Sequence, residues 1–349
     1  MQCRLEANPV PKGMTYAQAG VDIDKKSSSI NALVEHLKYK RKGVGKPLDI
    51  PGHFAGLLDL GDRALTLCTD GVGTKLLIAD ALKKWDTIGI DCIAMNVNDT
   101  ICVGAEPIAF VDYIAIDRPD ARVTSEIGKG LEKGARMSNM TIVGGEIAVL
   151  PELVNGLDLA GTCLGIVDKK RIITGAGIRP GDALIGLPSS GIHSNGLALA
   201  RKIIERNGIG YRKRVKGLAR PIGLELLEPT TIYVKQVLKI IGKHQVKGMA
   251  NITGGGLRNL LRLKNGVGFQ ITDPITPNPV FEVLQELGNV TDQEMYQTFN
   301  MGMGFCIVVR GKEADDVLRT AGKGAKIIGR VTKSGSVIVP ELELEYTVY

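Results

Sequence analysis

Between Ala64 and Asp168 short apolar runs rich in β-branched residues alternate with segments whose apolar positions recur at helical spacing. The runs "ALTLCTD", "PIAFVDYIAID", "TIVGGE" and "LAGTCLGIVD" predict strands. Between them, "TKLLIADALKKW", "DCIAMNVNDTICV" and "TSEIGKGLEKGARMSN" predict helices, and the alternation assigns this half to the α/β class. The pattern then breaks at "DKKRIITGAGIRPGD" (Asp168 to Asp182), where charge, glycine and proline accumulate without period, as at a domain entry. It resumes with "ALIGLPSSG", "GLALARKIIERNG", "TTIYVKQVLKIIGKH", a glycine triplet, "GFCIVVR" and "AKIIGRV". Two α/β domains follow from this, 1–170 and 171–349.

The length of 349 residues agrees, because a single core usually stops growing before that size. Apolar residues at 44% and charged residues at 23% are the balance of a globular protein. Six scattered cysteines, none paired as CxxC, argue against a disulfide framework and against a zinc site. The formal charge of +7 raises the question of nucleic acid. Basic residues cluster only at Lys38–Lys46 and Tyr211–Gly217, however, and aromatics reach only 4%, too few for base-stacking platforms; attraction of small phosphorylated ligands fits better. No apolar run is long enough to cross a bilayer, and "MQCRLEANPVPKG" lacks the apolar core of a secretory signal, so no membrane partner and a cytoplasmic protein are expected.

Neither a GxxxxGK[ST] loop nor a GxGxxG turn after a strand is present, so the standard phosphate loops are excluded. In "TDGVGTK" a strand delivers Asp70 to a turn where Gly71 and Gly73 admit an anion to the backbone and Lys75 adds charge, a carboxylate beside a phosphate cradle implying a bridging divalent cation. The bland alternative is that Asp70 or Thr74 merely caps the following helix. In "NVNDTICVGAEP", Gly104 and Pro107 are explained by a helix end, whereas Asn96, Asn98 and Asp99 are poor helix formers that ask for another reason. Asp99 is read as a second metal carboxylate. Glu146 follows two glycines at the end of an apolar strand. The loop "SSGIHSNG" gathers Ser189, Ser190, His193 and Asn195, with His193 able to carry a proton or simply to bind. "NITGGGLRNLL" resembles an anion cradle at a helix start. The four histidines keep no spacing that defines a covalent nucleophile arrangement.

Taken in order, "AGVDID", "TDGVGTK", "TIGID", "NDTICVGAEP", "VGGE", "SSGIHSNG", "ITGGG" and "MYQTFNMGMG" resemble the aminoimidazole ribonucleotide synthetase (phosphoribosylformylglycinamidine cyclo-ligase) family, from about Tyr16 to Val331. The resemblance implies a homodimer whose N-terminal sheets form a shared barrel, each flanked by a larger α/β C-terminal domain. It implies ATP with magnesium as cofactors and formylglycinamidine ribonucleotide as substrate. Its formyl oxygen is activated as a phosphate ester, an amidine nitrogen closes the imidazole ring, and ADP and phosphate leave. By position, Asp70, Gly71, Gly73, Thr74 and Lys75, together with Asp99, Gly104, Ala105 and Pro107 of the DxxxxGAxP signature, are expected at the nucleotide. Asp70, Asp99 and Glu146 are expected at the metal. Ser189, Ser190, His193, Asn195, Thr253, Gly254, Gly255 and Gly256 are expected to line the substrate side, with His193 as the catalytic candidate.

The chain departs from the family pattern in three places. Ile147 and Val149 replace polar residues of the usual GGETAEMP, Asn251 stands where a histidine usually precedes the ITGGG run, and extra residues follow Asp24, blurring the alignment of Lys38. A second reading is another ATP-using enzyme of the same superfamily, or a nucleotide-binding relative without turnover.

Overall fold

The computed structural model describes residues 13–50 and 54–348, so Cys3, His53 and the first twelve residues lie outside the described residues. Two sheets organise the rest. The first half runs α1 (Ile23–Val34), β1 (Pro47–Leu48), β2 (Gly56–Leu60), β3 (Arg63–Gly71), α2 (Lys75–Leu82), α3 (Ile88–Ile101), β4 (Glu106–Ile116), α4 (Ala121–Ser138), β5 (Thr141–Val149) and β6 (Leu157–Asp168). Its strands lie in the order β1-β2-β3-β6-β4-β5, and only β4 and β5 run parallel. The mixed α/β class holds, but strand order and hand of pairing do not follow from alternation along the chain.

In the second half β7 (Ala183–Pro188), α5 (Leu197–Arg206), α6 (Ile222–Leu226), α7 (Val234–Lys243), β8 (Val246–Asn251), β9 (Gly268–Ile271), α8 (Pro279–Gly288), α9 (Asp292–Thr298), β10 (Met303–Val309), α10 (Ala314–Ala321), β11 (Lys326–Thr332), β12 (Val337–Val339) and β13 (Leu344–Tyr346) follow in turn. The seven strands take the order β13-β12-β9-β11-β7-β10-β8. Strand β10, with "MGFCIVV" buried at every position, lies between β7 and β8. A continuous apolar run is what a strand covered on both faces requires.

The sequence of α3, "IGIDCIAMNVNDTI", is buried on nearly every side, because the helix is clasped by the first sheet, α4, α7 and β8. Its crossing with α4 is close enough that a Cβ at Gly89 would stand 2.2 Å from the Leu131 nitrogen and 2.5 Å from the Ile127 oxygen. Glycine here is a packing requirement. The other face of the first sheet is bare: Leu67, Val111 and Tyr113 are all exposed. All three alternate with strand residues that point toward the helices, so the exposed set forms one surface.

Candidate functional site

Strand β3 ends at Asp70, whose register partner on β6 is Gly161. The Asp70 Oδ1 accepts from the Gly71 N–H (2.8 Å), and the Asn96 side-chain amide donates to the Asp70 carbonyl (3.2 Å), fixing the strand end against α3. Gly73 then turns with φ of +68°, a value open to glycine at no steric cost. Thr74 occupies the cap position of α2 without a side-chain capping bond, and Asp70 spends its oxygen on Gly71. The cap explanation of this turn therefore fails, leaving α2 open to an anion at its positive end.

Lys75 is not in the cradle. Its side chain is fully buried, with Nζ 2.9 Å from Asp91 Oδ1 and donating to the Glu228 carbonyl (2.7 Å). Asp91 in turn accepts from the Thr230 N–H (2.8 Å) and hydroxyl (2.7 Å). The lysine is thus a structural cation joining α2, α3 and the 228–230 segment, and its assignment to the nucleotide is corrected. Burial holds its pKa below the ordinary lysine range, with the Asp91 charge opposing that shift.

The three polar residues of α3 each meet a different element. Asn96 holds the end of β3, Asn98 donates to the Thr231 carbonyl (2.8 Å) and accepts from the Tyr233 N–H (3.0 Å), and Asp99 Oδ1 accepts from the Asn251 amide (2.8 Å). Burial pushes the Asp99 carboxyl up to about 7, opposed by the Asn251 hydrogen bond and raised further by the charge of Asp70. Desolvation also raises Asp70. Burial thus makes both carboxylates costly to ionise, and the charge of Asp70 adds to the cost at Asp99, against the opposing charges of Arg262 on Asp99 and Lys26 on Asp70. That fits a divalent cation. Among the described residues no three His, Cys, Asp or Glu side chains converge.

The rest of the DxxxxGAxP signature is architecture. Gly104 turns with φ of +81°, a Cβ there would stand 3.2 Å from the Arg171 carbonyl, and Ala105 is fully buried, with Pro107 entering β4 behind it. These residues set where Asp99 stands and offer backbone rather than polar side chains to a ligand. Glu146 is corrected as well. It pairs with Tyr113, whereas Asp112 and Asp70 both lie opposite Gly161, so within one chain Glu146 occupies the opposite face of the sheet from Asp70.

On the second half, Ser189 donates to Asn300 Oδ1 (2.8 Å) and Ser190 to the Pro229 carbonyl (2.6 Å). His193, 3% exposed and at φ of +62°, accepts at Nε2 from the Ser190 N–H (3.3 Å) and the Thr231 N–H (3.4 Å). Burial, with the Lys75 charge nearby, lowers its pKa to about 3. A neutral imidazole that accepts from two amides at Nε2 fixes this loop and carries its proton on Nδ1. Asn195 reaches the Met95 sulfur (3.7 Å) and flanks Gly254, where a Cβ would stand 3.1 Å from its Oδ1. The two substrate-side loops thereby touch. After β8, Thr253 N–H donates to Asn259 Oδ1 (3.0 Å) and Gly256 N–H to the Thr253 carbonyl (2.8 Å), opening a 3-10 helix over Gly256–Leu263. Arg262 of that helix lies over the Phe54 ring, 4.0 Å from its centre, and acts on Asp99 through its charge.

Three groups escaped the reading of the sequence: Asp91, Asn251 as a partner of Asp99, and Arg262. The first two sit inside apolar runs, where nothing local marks a bond to a residue more than a hundred positions away or, for Asp91, sixteen.

Comparison with known proteins places the chain in a family. The model of the AIR synthase related protein N-terminal domain matches residues 52–167, and that of the C-terminal domain residues 179–340. The chain is similar to the phosphoribosylformylglycinamidine cyclo-ligase of Methanococcoides burtonii, at 53% identity over 334 residues, covering 95% of this chain and 99% of that one. It is 50% identical to the enzyme of the same name from Methanosarcina acetivorans, covering 96% of this chain and 99% of that one. Among solved structures, hydrogenase maturation protein HypE in complex with ATP shares the fold, with a TM-score of 0.60 at 17% identity, covering 84% of this chain and 86% of that one. Matched in both halves by these models and about half identical to cyclo-ligases over nearly its full length, the chain belongs to the AIR synthase related family.

Proposed function

We propose that the chain closes the imidazole ring of aminoimidazole ribonucleotide from formylglycinamidine ribonucleotide, consuming ATP and releasing ADP and phosphate, in purine biosynthesis. The observation that carries the reading is the uncapped, glycine-lined turn after Asp70, an anion cradle, with the Asp99 carboxyl near enough to feel the charge of Asp70. Asp70 and Asp99 would hold magnesium. An ion held there would supply charge neutralisation to the phosphates of ATP. The backbone of Gly71, Gly73 and Thr74 approaches the phosphates without a side chain in the way. Ser189 is held by Asn300, Ser190 by Pro229, Asn195 by Met95 of α3 and Thr253 by Asn259, which supports a substrate side of fixed shape facing that cradle. Such positioning is the main contribution a protein makes to phosphoryl transfer. With His193 Nε2 committed as an acceptor, the amidine proton leaves to water or phosphate.

The assay is ATP hydrolysis that depends on formylglycinamidine ribonucleotide, with the aminoimidazole detected by diazo coupling. Hydrolysis without the aminoimidazole product would refute the reading. Asp70→Asn is expected to fold and to weaken magnesium-dependent ATP binding; unchanged affinity would remove Asp70 from the metal.

The same reading makes the chain a cytoplasmic homodimer, with residues 1–170 as the nucleotide and dimerisation domain and 171–349 completing the cleft. Supporting it is the bare sheet face carrying Leu67, Val111 and Tyr113, a contiguous apolar surface of the kind that marks an interface. Glu146 lies on this face beside Tyr113, so it would meet the second copy rather than its own Asp70. Among the described residues no helix is long and apolar enough to cross a membrane.

A further inference from the structure

The end of β8 is a fixed point. Asn251 pairs with Phe305 in the register of β8 and β10, Ile252 N–H donates to the Gly304 carbonyl (3.0 Å), and the Thr253 N–H is held by Asn259. At 3% exposure, Asn251 has little freedom of its own. Its amide donates 2.8 Å to Asp99 Oδ1, the one hydrogen bond seen on that carboxylate among the described residues. The bond crosses from the second sheet to α3 of the first half.

We infer that Asn251 is the positioning residue for Asp99: it occupies Oδ1 from a rigid strand end and thereby aims Oδ2 at the cation carried by the nucleotide phosphates. The inference rests on the reading of Asp99 as a ligand of that cation. The chemistry of the partner decides why an amide serves. A lysine or arginine here would neutralise the carboxylate and compete with the ion. An amide donates one N–H and adds no charge beyond that of Arg262, so it holds the carboxylate without a second cation competing for it. A carboxylate pinned at one oxygen has lost the rotation that would otherwise be frozen on binding, which is how an outer partner raises the affinity of a ligand it never shares with the metal.

The bond is separable from the fold. Asn98, one residue before Asp99, independently ties α3 to Thr231 and Tyr233, and Asp91 ties it to Thr230. Loss of the Asn251 amide therefore leaves the seating of α3 in place and frees only the carboxylate.

The experiment measures Mn2+ affinity of the full chain by electron paramagnetic resonance, with a saturating non-hydrolysable ATP analogue, alongside the metal-free melting temperature. The chains compared are the parent, Asn251→Ala, Asn251→His and Asp99→Asn. Asn251→Ala is expected to weaken Mn2+ binding by about 10–100-fold, the usual effect of removing an outer partner of a metal ligand, while melting close to the parent. Asn251→His, which restores an N–H donor, is expected to bind within a few-fold of the parent. Parent-like Mn2+ affinity in Asn251→Ala, with binding lost in Asp99→Asn, overturns the positioning role and leaves Asp99 a ligand. Parent-like affinity in Asp99→Asn removes the ligand reading itself, and Asn251 with it. Should Asn251→Ala fail to fold, Asn251→His decides: retained affinity supports the role, and affinity as low as that of Asp99→Asn overturns it. A lowered metal-free melting temperature with unchanged affinity marks the bond as structural only and also overturns it.

Discussion

His193 sits in the substrate-side loop as a buried, neutral imidazole. Its pKa is lowered to about 3 from an ordinary 6.5, so the unfolded chain binds a proton that the folded chain refuses. The stability this residue contributes is complete above about pH 6.5 and declines as the pH falls toward 3, by about 1.4 kcal/mol per pH unit in that window. Denaturant unfolding at pH 7 and pH 5 should show the parent losing more stability than His193→Gln, whose amide oxygen can accept from the same two N–H groups. Equal losses would show that the imidazole is solvated after all. Lys75 makes the companion case. Truncation to alanine leaves Asp91 charged, buried and short of its counter-ion, a situation that costs about 3–5 kcal/mol. Lys75→Ala should thus lower the urea midpoint sharply, whereas a surface lysine such as Lys83, exposed and paired only with Asp80, should not.

Among the elements, α3 is the one on which the rest is assembled. Its small residues admit α4, and its polar residues reach three separate segments. Gly89→Ala should force α3 and α4 apart, since backbone lies within 2.6 Å of the added carbon and cannot give way as a flexible side chain would. A loss of about 1–3 kcal/mol in unfolding free energy is expected from such overpacking, read from denaturant curves. The helices and strands here were legible in the sequence, because periodicity is local: β3, α3 and β6 lie where alternation and helical spacing put them. Asp70 and the turn after it were legible for the same reason. What local pattern could not carry was the fate of side chains whose partners are distant. Lys75 looked like a loop cation until Asp91 and Glu228 claimed it, and Asn251 looked like a missing histidine until Asp99 was found opposite it. The parallel pairing that sends Glu146 to the far side of the sheet is likewise a property of β4 and β5 together, not of either alone.

For the molecule as a whole, the bare sheet face predicts association. Tyr113→Asp together with Val111→Asp should yield a monomer by sedimentation at micromolar concentration, with the secondary-structure content unchanged, if that face joins two copies; a parent that sediments as a monomer would rule out the interface altogether. The buried Lys75–Asp91 pair has a further consequence, in the order in which the chain is made. Both charges leave the ribosome early, yet Thr230, which completes the hydrogen bonds of Asp91, follows 139 residues later. At ordinary synthesis rates that gap is roughly 7–28 seconds. During it the Lys75–Asp91 pair lacks the Thr230 donors and the Glu228 carbonyl that complete its hydrogen bonds, so the nascent N-terminal half should stay sensitive to protease and open to chaperones until the segment through Thr230 has emerged.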